Sequence, residues 1–331
     1  MILLSLGAGI VLMVGKKKSE TVEQTEAQPE VRKLVDEAVI SPISSFDGSA
    51  IWYFNASGQL FRVMLDGSGL TEFPLPALTT GSLIQALWPQ QGNDFIITTI
   101  TSIGEVKYHY DNDQKKYVQL PEAVQSLDWM PDGERILYVW KAGDNTQQLK
   151  IAVPDSSGFS TIAELFWLDY VVKVSPTGDR ALVYRSKPTQ ELNKIYQVDI
   201  ESGKFDPVVE EGKNIGAVWV PGGEKFIFAQ ERALGATRLL MYNFSNRQVT
   251  DLDLATSIDK ISVDPTGKTL YAAAGKSGIP GEEFVKLDLL TFNQETYYQP
   301  EQDTKVKSLL EIKGKLYFVN LFDNKLYYIA K

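Results

Sequence analysis

The chain has 331 residues, 44% hydrophobic and 23% charged, a balance that excludes wholesale disorder. Its 33 basic and 42 acidic residues leave a formal net charge of −9, which excludes the basic stripe that a nucleic-acid surface needs. The absence of cysteine and the single histidine, His109, remove disulfides, thiolate nucleophiles, and thiolate or multi-histidine metal sites.

Residues 2–14 read ILLSLGAGIVLMV and are followed by three lysines. About 14 helical residues span roughly 21 Å, against a bilayer core of about 30 Å. The segment also lacks the basic leader of a secretory signal. Residues 1–15 are therefore expected to be a membrane anchor, with a start that lies inside a longer hydrophobic segment. Residues 16–30, KKKSETVEQTEAQPE, carry no apolar periodicity and are predicted to be a flexible polar tether.

The rest of the chain, 31–331, repeats. The unit is an apolar strand, a Pro/Gly turn and a second strand rich in β-branched and aromatic residues. The clear copies are 86–100, 126–140, 172–185, 217–229 and 261–274, with weaker ones at 43–54 and 309–319. Their turn glycines, Gly48, Gly92, Gly133, Gly178, Gly223, Gly267 and Gly314, are spaced 44, 41, 45, 45, 44 and 47 residues apart. In Pro131-Asp132-Gly133, Pro176-Thr177-Gly178 and Pro265-Thr266-Gly267, proline pre-sets φ and glycine takes the positive φ that closes the turn. Two more strands follow in each copy, joined by tight turns such as Glu201-Ser202-Gly203-Lys204. A four-stranded antiparallel meander of this length is the blade of a β-propeller. Second strands such as ILYVW and FIFA are apolar throughout, as expected for strands covered on both faces.

The fold class is thus all-β: a seven-bladed propeller of four-stranded antiparallel blades. The last repeat has strands at Val306–Ile312, Lys315–Asn320 and Lys325–Ala330 but no outer strand before the end of the sequence given. Residues 31–36, VRKLVD, sit where other repeats carry their outer strand, so the N-terminal strand is expected to close the ring and cover an edge.

The repeat resembles the WD40-like propeller repeat of the TolB type. The resemblance is carried by Trp129-Met130-Pro131-Asp132-Gly133-Glu134, by Ser175-Pro176-Thr177-Gly178-Asp179 and by Ile195-Tyr196-Gln197-Val198-Asp199-Ile200-Glu201-Ser202-Gly203-Lys204. It departs in the first, second and seventh copies, where the Pro-x-Gly spacing is lost. Chains with one N-terminal anchor followed by a propeller resemble exported surface or periplasmic proteins. That implies an extracytoplasmic body, although the three lysines taken alone favour a cytoplasmic C-terminal side.

Motifs for chemistry are scarce. His109 reads as a half-exposed residue of a third strand. Asp128, Asp169 and Asp259 fall on or near inner strands; they could face a cation in the channel, but hydrogen bonds to neighbouring blades or turn amides suit them better. Trp88, Trp129 and Trp219 precede the turns and are expected to fill wedges between blades. No calcium loop, nucleophile elbow or phosphate loop is present, so no catalytic residue, metal or cofactor is predicted.

Loop lengths carry the functional expectation. The links between second and third strands are longer in repeats three to six (141–148, 186–193, 231–237 and 275–283) than in the other three. Long loops on a rigid frame are common binding elements. Phe166 and Trp167, on the link into the fourth repeat, together with Lys187, Arg232 and Lys276, are the predicted binding residues for a protein partner. The alternative is a propeller enzyme, lactonase- or cyclase-like, with its site at the channel mouth.

Overall fold

Strands dominate because the sequence alternates short β-branched and aromatic runs with glycine turns. The computed structural model describes residues 29–78, 81–143, 146–155, 157–185, 192–231, 237–275 and 281–330. Among these there is no α-helix, only a short 3-10 turn at Ile258–Lys260. The first strand is β1 (Glu30–Lys33). Unit 1 is β2 (Val39–Ser44), β3 (Ala50–Asn55), β4 (Leu60–Met64) and β5 (Thr71–Phe73). Unit 2 is β6 (Ser82–Leu87), β7 (Phe95–Thr101), β8 (Gly104–Asp111) and β9 (Lys116–Gln119). Unit 3 is β10 (Val124–Trp129), β11 (Ile136–Lys141), β12 (Gln147–Ala152) and β13 (Ser160–Leu165).

Unit 4 comprises β14 (Tyr170–Val174), β15 (Arg180–Arg185), β16 (Asn193–Asp199) and the first part of β17 (Phe205–Trp219). Unit 5 comprises the rest of β17 with β18 (Lys225–Glu231), β19 (Thr237–Asn243) and β20 (Gln248–Asp251). Unit 6 is β21 (Ile261–Val263), β22 (Thr269–Gly275), β23 (Glu282–Asp288) and β24 (Gln294–Tyr298). The final unit is β25 (Val306–Ile312), β26 (Lys315–Asn320) and β27 (Leu326–Ala330), with β1 paired antiparallel on the outside of β27. In units 1 to 6 the chain order is also the spatial order, as a meander requires; in the final unit β1, the first strand in the chain, takes the outer place. The sequence leads one to expect separate outer and inner strands on either side of residue 212. Instead β17 runs through, because its short link lacks a turn sequence and bends only at Asn214, at φ 48°.

Apolar clusters sit between consecutive units. One joins Leu182 and Tyr184 of unit 4 to Ala217, Trp219 and Phe226 of unit 5. Another joins Ile51, Tyr53 and Val63 of unit 1 to Tyr317 and Val319 of the final unit, with Leu34 and Val35 added from the segment after β1. The turn glycines fit against the neighbouring turn. A Cβ on Gly133, at φ +71°, would come within 2.1 Å of the Gln91 carbonyl oxygen, so only glycine satisfies both the turn and the packing.

Trp88, Trp129 and Trp219 fill wedges as expected, and each also crosses to the preceding unit. Their indole N–H groups donate to the carbonyls of Ser41 (2.9 Å), Leu87 (3.1 Å) and Lys173 (2.9 Å). An inner strand exposes one edge of its ladder, and these bonds, with side-chain acceptors, satisfy it. Ser41 accepts from the Ala86 N–H at 2.8 Å, and Ser262 from the Glu311 N–H at 2.9 Å.

Candidate functional site: the channel and the loop-bearing face

Inner strands of units 3 to 6 line a cavity of about 840 Å3, into which Asp128, Lys173, Tyr184, Asn214 and Asp259 project. Asp128 and Lys173 lie deep in the body yet keep part of their surface open to the cavity. Burial is the main influence on Asp128 and raises its pKa, against the Lys173 charge and two amide donors. Those donors are the N–H groups of Val174, on the next unit, at 2.9 Å and of Trp129 at 3.1 Å. Burial is also the largest influence on Lys173 and opposes its charge, but Asp128, Tyr184 and Asp259 together outweigh it, so its pKa is raised. The Tyr184 hydroxyl, its pKa raised chiefly by burial, accepts the Ala217 N–H at 3.1 Å.

The Asp128 and Tyr184 bonds tie neighbouring units together. Each Asp128 oxygen already accepts a backbone N–H, and Lys173 stays charged at neutral pH. His109 is on β8, a third strand as expected, but it is buried at 6% exposure rather than half-exposed. Its Nε2 lies 2.8 Å from Asp94, whose other oxygen accepts the Asn112 N–H at 3.1 Å. Among the described residues, no group of three or more His, Asp or Glu side chains could hold a metal ion.

No protein-family model matches the chain, and no curated protein matches it in sequence. Solved structures do match. Oligogalacturonate lyase of Vibrio parahaemolyticus superposes with a TM-score of 0.67 at 8% identity, over 92% of this chain and 94% of that one. The β-propeller domain of Cps50 (Swd1) from Myceliophteria thermophila gives 0.65 at 8% identity, over 92% and 99%. Hydrazine synthase of Kuenenia stuttgartiensis gives 0.63 at 15% identity, over 90% and 96%. The fold is a β-propeller. At these identities the likeness is one of architecture alone, and the propeller neighbours include both a WD40-type domain and a lyase.

In a propeller, links from second to third strand and links between blades share one face. Phe166 and Trp167 stand on that face, on the link from β13 to β14, and are 80% and 59% exposed. Lys187, Arg232 and Lys276, the cations expected beside them, lie outside the described residues. Exposed apolar side chains also mark links that sequence reasoning passed over: Ile103 between β7 and β8, and Leu321 and Phe322 between β26 and β27; Leu192, in the expected 186–193 link, is exposed as well. The available signal was an apolar residue at the tip of a short turn, as in Thr101-Ser102-Ile103-Gly104. Two amide side chains at the feet of the lengthened loops, Gln147 and Asn193, are buried, each with one atom that finds no hydrogen-bond partner.

Proposed function

We propose that this propeller is a membrane-tethered binding or assembly module whose protein partner sits on the loop-bearing face. The carrying observation is the Phe166–Trp167 pair, two adjacent large apolar side chains left exposed on one link between blades. Aromatic anchors at the centre of a contact supply much of its energy. Lys187, Arg232 and Lys276 belong in sequence to three of the four lengthened links of blades 3 to 6.

In this reading the seven units are blades of one ring, with repeats of the TolB type, and β1 closes it. The pairing of β1 with β27 and the apolar cluster between the first and final units support the closure. Glu30 lies opposite Ala330, so the chain enters β1 at the tight-turn face. In this reading the anchor of residues 1–15 and the tether of residues 16–30 join the body at that face, leaving the loop-bearing face free for a partner on the extracytoplasmic side. A tether of about 14 residues has a root-mean-square reach of roughly 20 Å. The channel enzyme is the second reading; among the described residues no cluster of His, Asp or Glu side chains that could hold a metal ion supports it.

The test is capture of partners by the full chain from membranes of the source organism, compared with a Phe166→Ser/Trp167→Ser double variant. The variant should lose its partner at least about tenfold. A partner retained by it, but lost with Asp132→Lys or Glu224→Lys on the tight-turn face, would reverse the assignment of faces.

A further inference from the structure

Blades 2 and 5 share an aromatic cradle; blade 2 lacks the ring that Phe244 supplies in blade 5, while Tyr117 packs on Tyr110 at 5.2 Å and Phe54 of blade 1 stacks on one face of Trp88 at 5.4 Å. In blade 5, Trp219 precedes Phe226 by seven residues, and Phe226 pairs across the ladder with Tyr242. Blade 2 repeats this with Trp88, Phe95 and Tyr110. The rings are similarly disposed. Phe226 and Tyr242 stack with centroids 5.2 Å apart, and Phe95 and Tyr110 at 4.7 Å. Trp219 and Phe226 are 5.9 Å apart, and Trp88 and Phe95 5.2 Å.

Two residues after Tyr242 comes Phe244. Its ring stacks on Trp219 at 5.6 Å and meets Tyr242 edge-on at 5.0 Å. Arg180 of blade 4 covers it, with the guanidinium 5.0 Å from the ring centre. The position two after Tyr110 is Asn112. The position matching Arg180, the first residue of the second strand, is Ala50, since Ser45 N–H bonds the Ala50 carbonyl as Ser175 N–H bonds that of Arg180. Blade 1 therefore has a methyl group where blade 4 has a guanidinium, and blade 2 has a carboxamide where blade 5 has a ring.

The consequence is a cleft of about 760 Å3 between blades 1 and 2, lined by Trp88, Phe95, Tyr110 and Asn112, with Trp52 and Phe73 on the blade 1 side. Such a volume is ordinary for a small-molecule site. Tyr110, fully buried on this wall, has a hydroxyl with no hydrogen-bond partner. At the mouth stands Lys115, whose Nζ donates to the Asn112 side chain at 2.8 Å and lies 6.0 Å from the Phe73 ring centre. The one carboxylate in the lining, Asp94, is taken by His109 and the Asn112 N–H.

We propose that this cleft binds a small planar aromatic ligand bearing an anionic substituent, the ring resting in the Trp88–Phe95–Tyr110 cradle and the anion facing Lys115. The ligand takes the place that Phe244 fills in blade 5. This site is on the tight-turn side and is independent of the partner surface proposed above.

Indole-3-acetate is the probe, with cyclohexylacetate as a non-aromatic acid of equal charge, titrated against the full chain by calorimetry and by saturation-transfer NMR. Indole-3-acetate should bind with a Kd on the order of 1 mM or tighter, and cyclohexylacetate at least about tenfold more weakly. Asn112→Phe, which restores the missing ring, should abolish binding without lowering Tm. Should that variant fail to fold, exposed Lys115→Gln supplies the second reading: it should weaken indole-3-acetate more than uncharged indole. Equal affinity for the two acids, no binding up to about 10 mM, or unchanged binding in a folded Asn112→Phe protein would overturn the proposal.

Discussion

Among the described residues, the tight-turn face carries more of the side-chain bonds that close turns, while both faces leave apolar side chains open, Phe46 at 94% on one and Phe166 at 80% on the other. On the tight-turn face, polar side chains bond the turns that carry them. Asp132 accepts the N–H groups of Glu134 (2.9 Å) and Arg135 (3.1 Å), and Asp264 those of Lys268 (2.9 Å) and Thr269 (2.8 Å). Ser175 and Thr177 both donate to Asp179. On the other face, links carry Ile103, Phe166, Trp167 and Phe322 with their apolar surface open. One face is stabilised by local bonds that specify its shape. On the other, Phe166 and Trp167 are adjacent on one link and both largely exposed.

If the tight-turn face is the structural one, the largest loss comes from removing the strand that enters there. A chain beginning at residue 29 should fold with full stability. A chain beginning at residue 38 loses the four-residue pairing of β1 with β27 and the buried side chains Leu34 and Val35. Two buried aliphatic side chains and a strand edge together are worth on the order of 4–6 kcal/mol. Thermal melts of the two truncations check this, and equal Tm values would show that β1 does not close the ring.

The next effect is at the wedges. Trp219→Phe keeps most of the packing but removes the donor to the Lys173 carbonyl, and should cost about 1–2 kcal/mol by denaturant titration. Much of this architecture was legible, because turn chemistry is local: Pro131-Asp132-Gly133 announces its geometry in three residues. The indole bond was not legible, since Trp219 and its acceptor Lys173 are 46 residues apart and nothing local encodes their meeting. Phe166 and Trp167 stood out at an unusual link, whereas Ile103 and Phe322 sat in short turns that loop length alone made uninformative. The cleft between blades 1 and 2 was hidden for another reason. It is a missing ring, visible only once Asn112 and Phe244 are superposed by ladder register.

Acid sharpens the contrast more gently. Hydrogen bonds from Ser45 and Ser49 hold Asp47 far below the usual carboxylate range. Burial alone would raise Asp179, but Arg180, Thr177 and Ser175 overcome it and bring it to about 2. A carboxylate whose folded pKa lies below its unfolded one stabilises the fold when ionised in both states. That contribution is present above about pH 4 and is lost as pH falls through the folded value. Stability should therefore hold to about pH 4 and decline toward pH 2. Asp179→Asn should flatten part of this decline in pH-dependent melts. An unchanged slope would mean that the turn carboxylates are too well screened to matter.

The smallest stability effect is predicted at the most consequential residues. Phe166 and Trp167 are largely exposed, so replacing both with serine removes little buried area and should shift folding by no more than about 0.5 kcal/mol. Asp264→Ala, at a half-buried turn residue, should cost more, about 1 kcal/mol, because two backbone N–H groups lose their acceptor. The inversion is the point of the comparison, since ordinary packing logic ranks a phenylalanine and a tryptophan far above an aspartate. Side-by-side melts of the two variants decide it. If the aromatic pair proves the more destabilising, those rings are covered in the folded protein, and the loop-bearing face is then as structural as the face opposite.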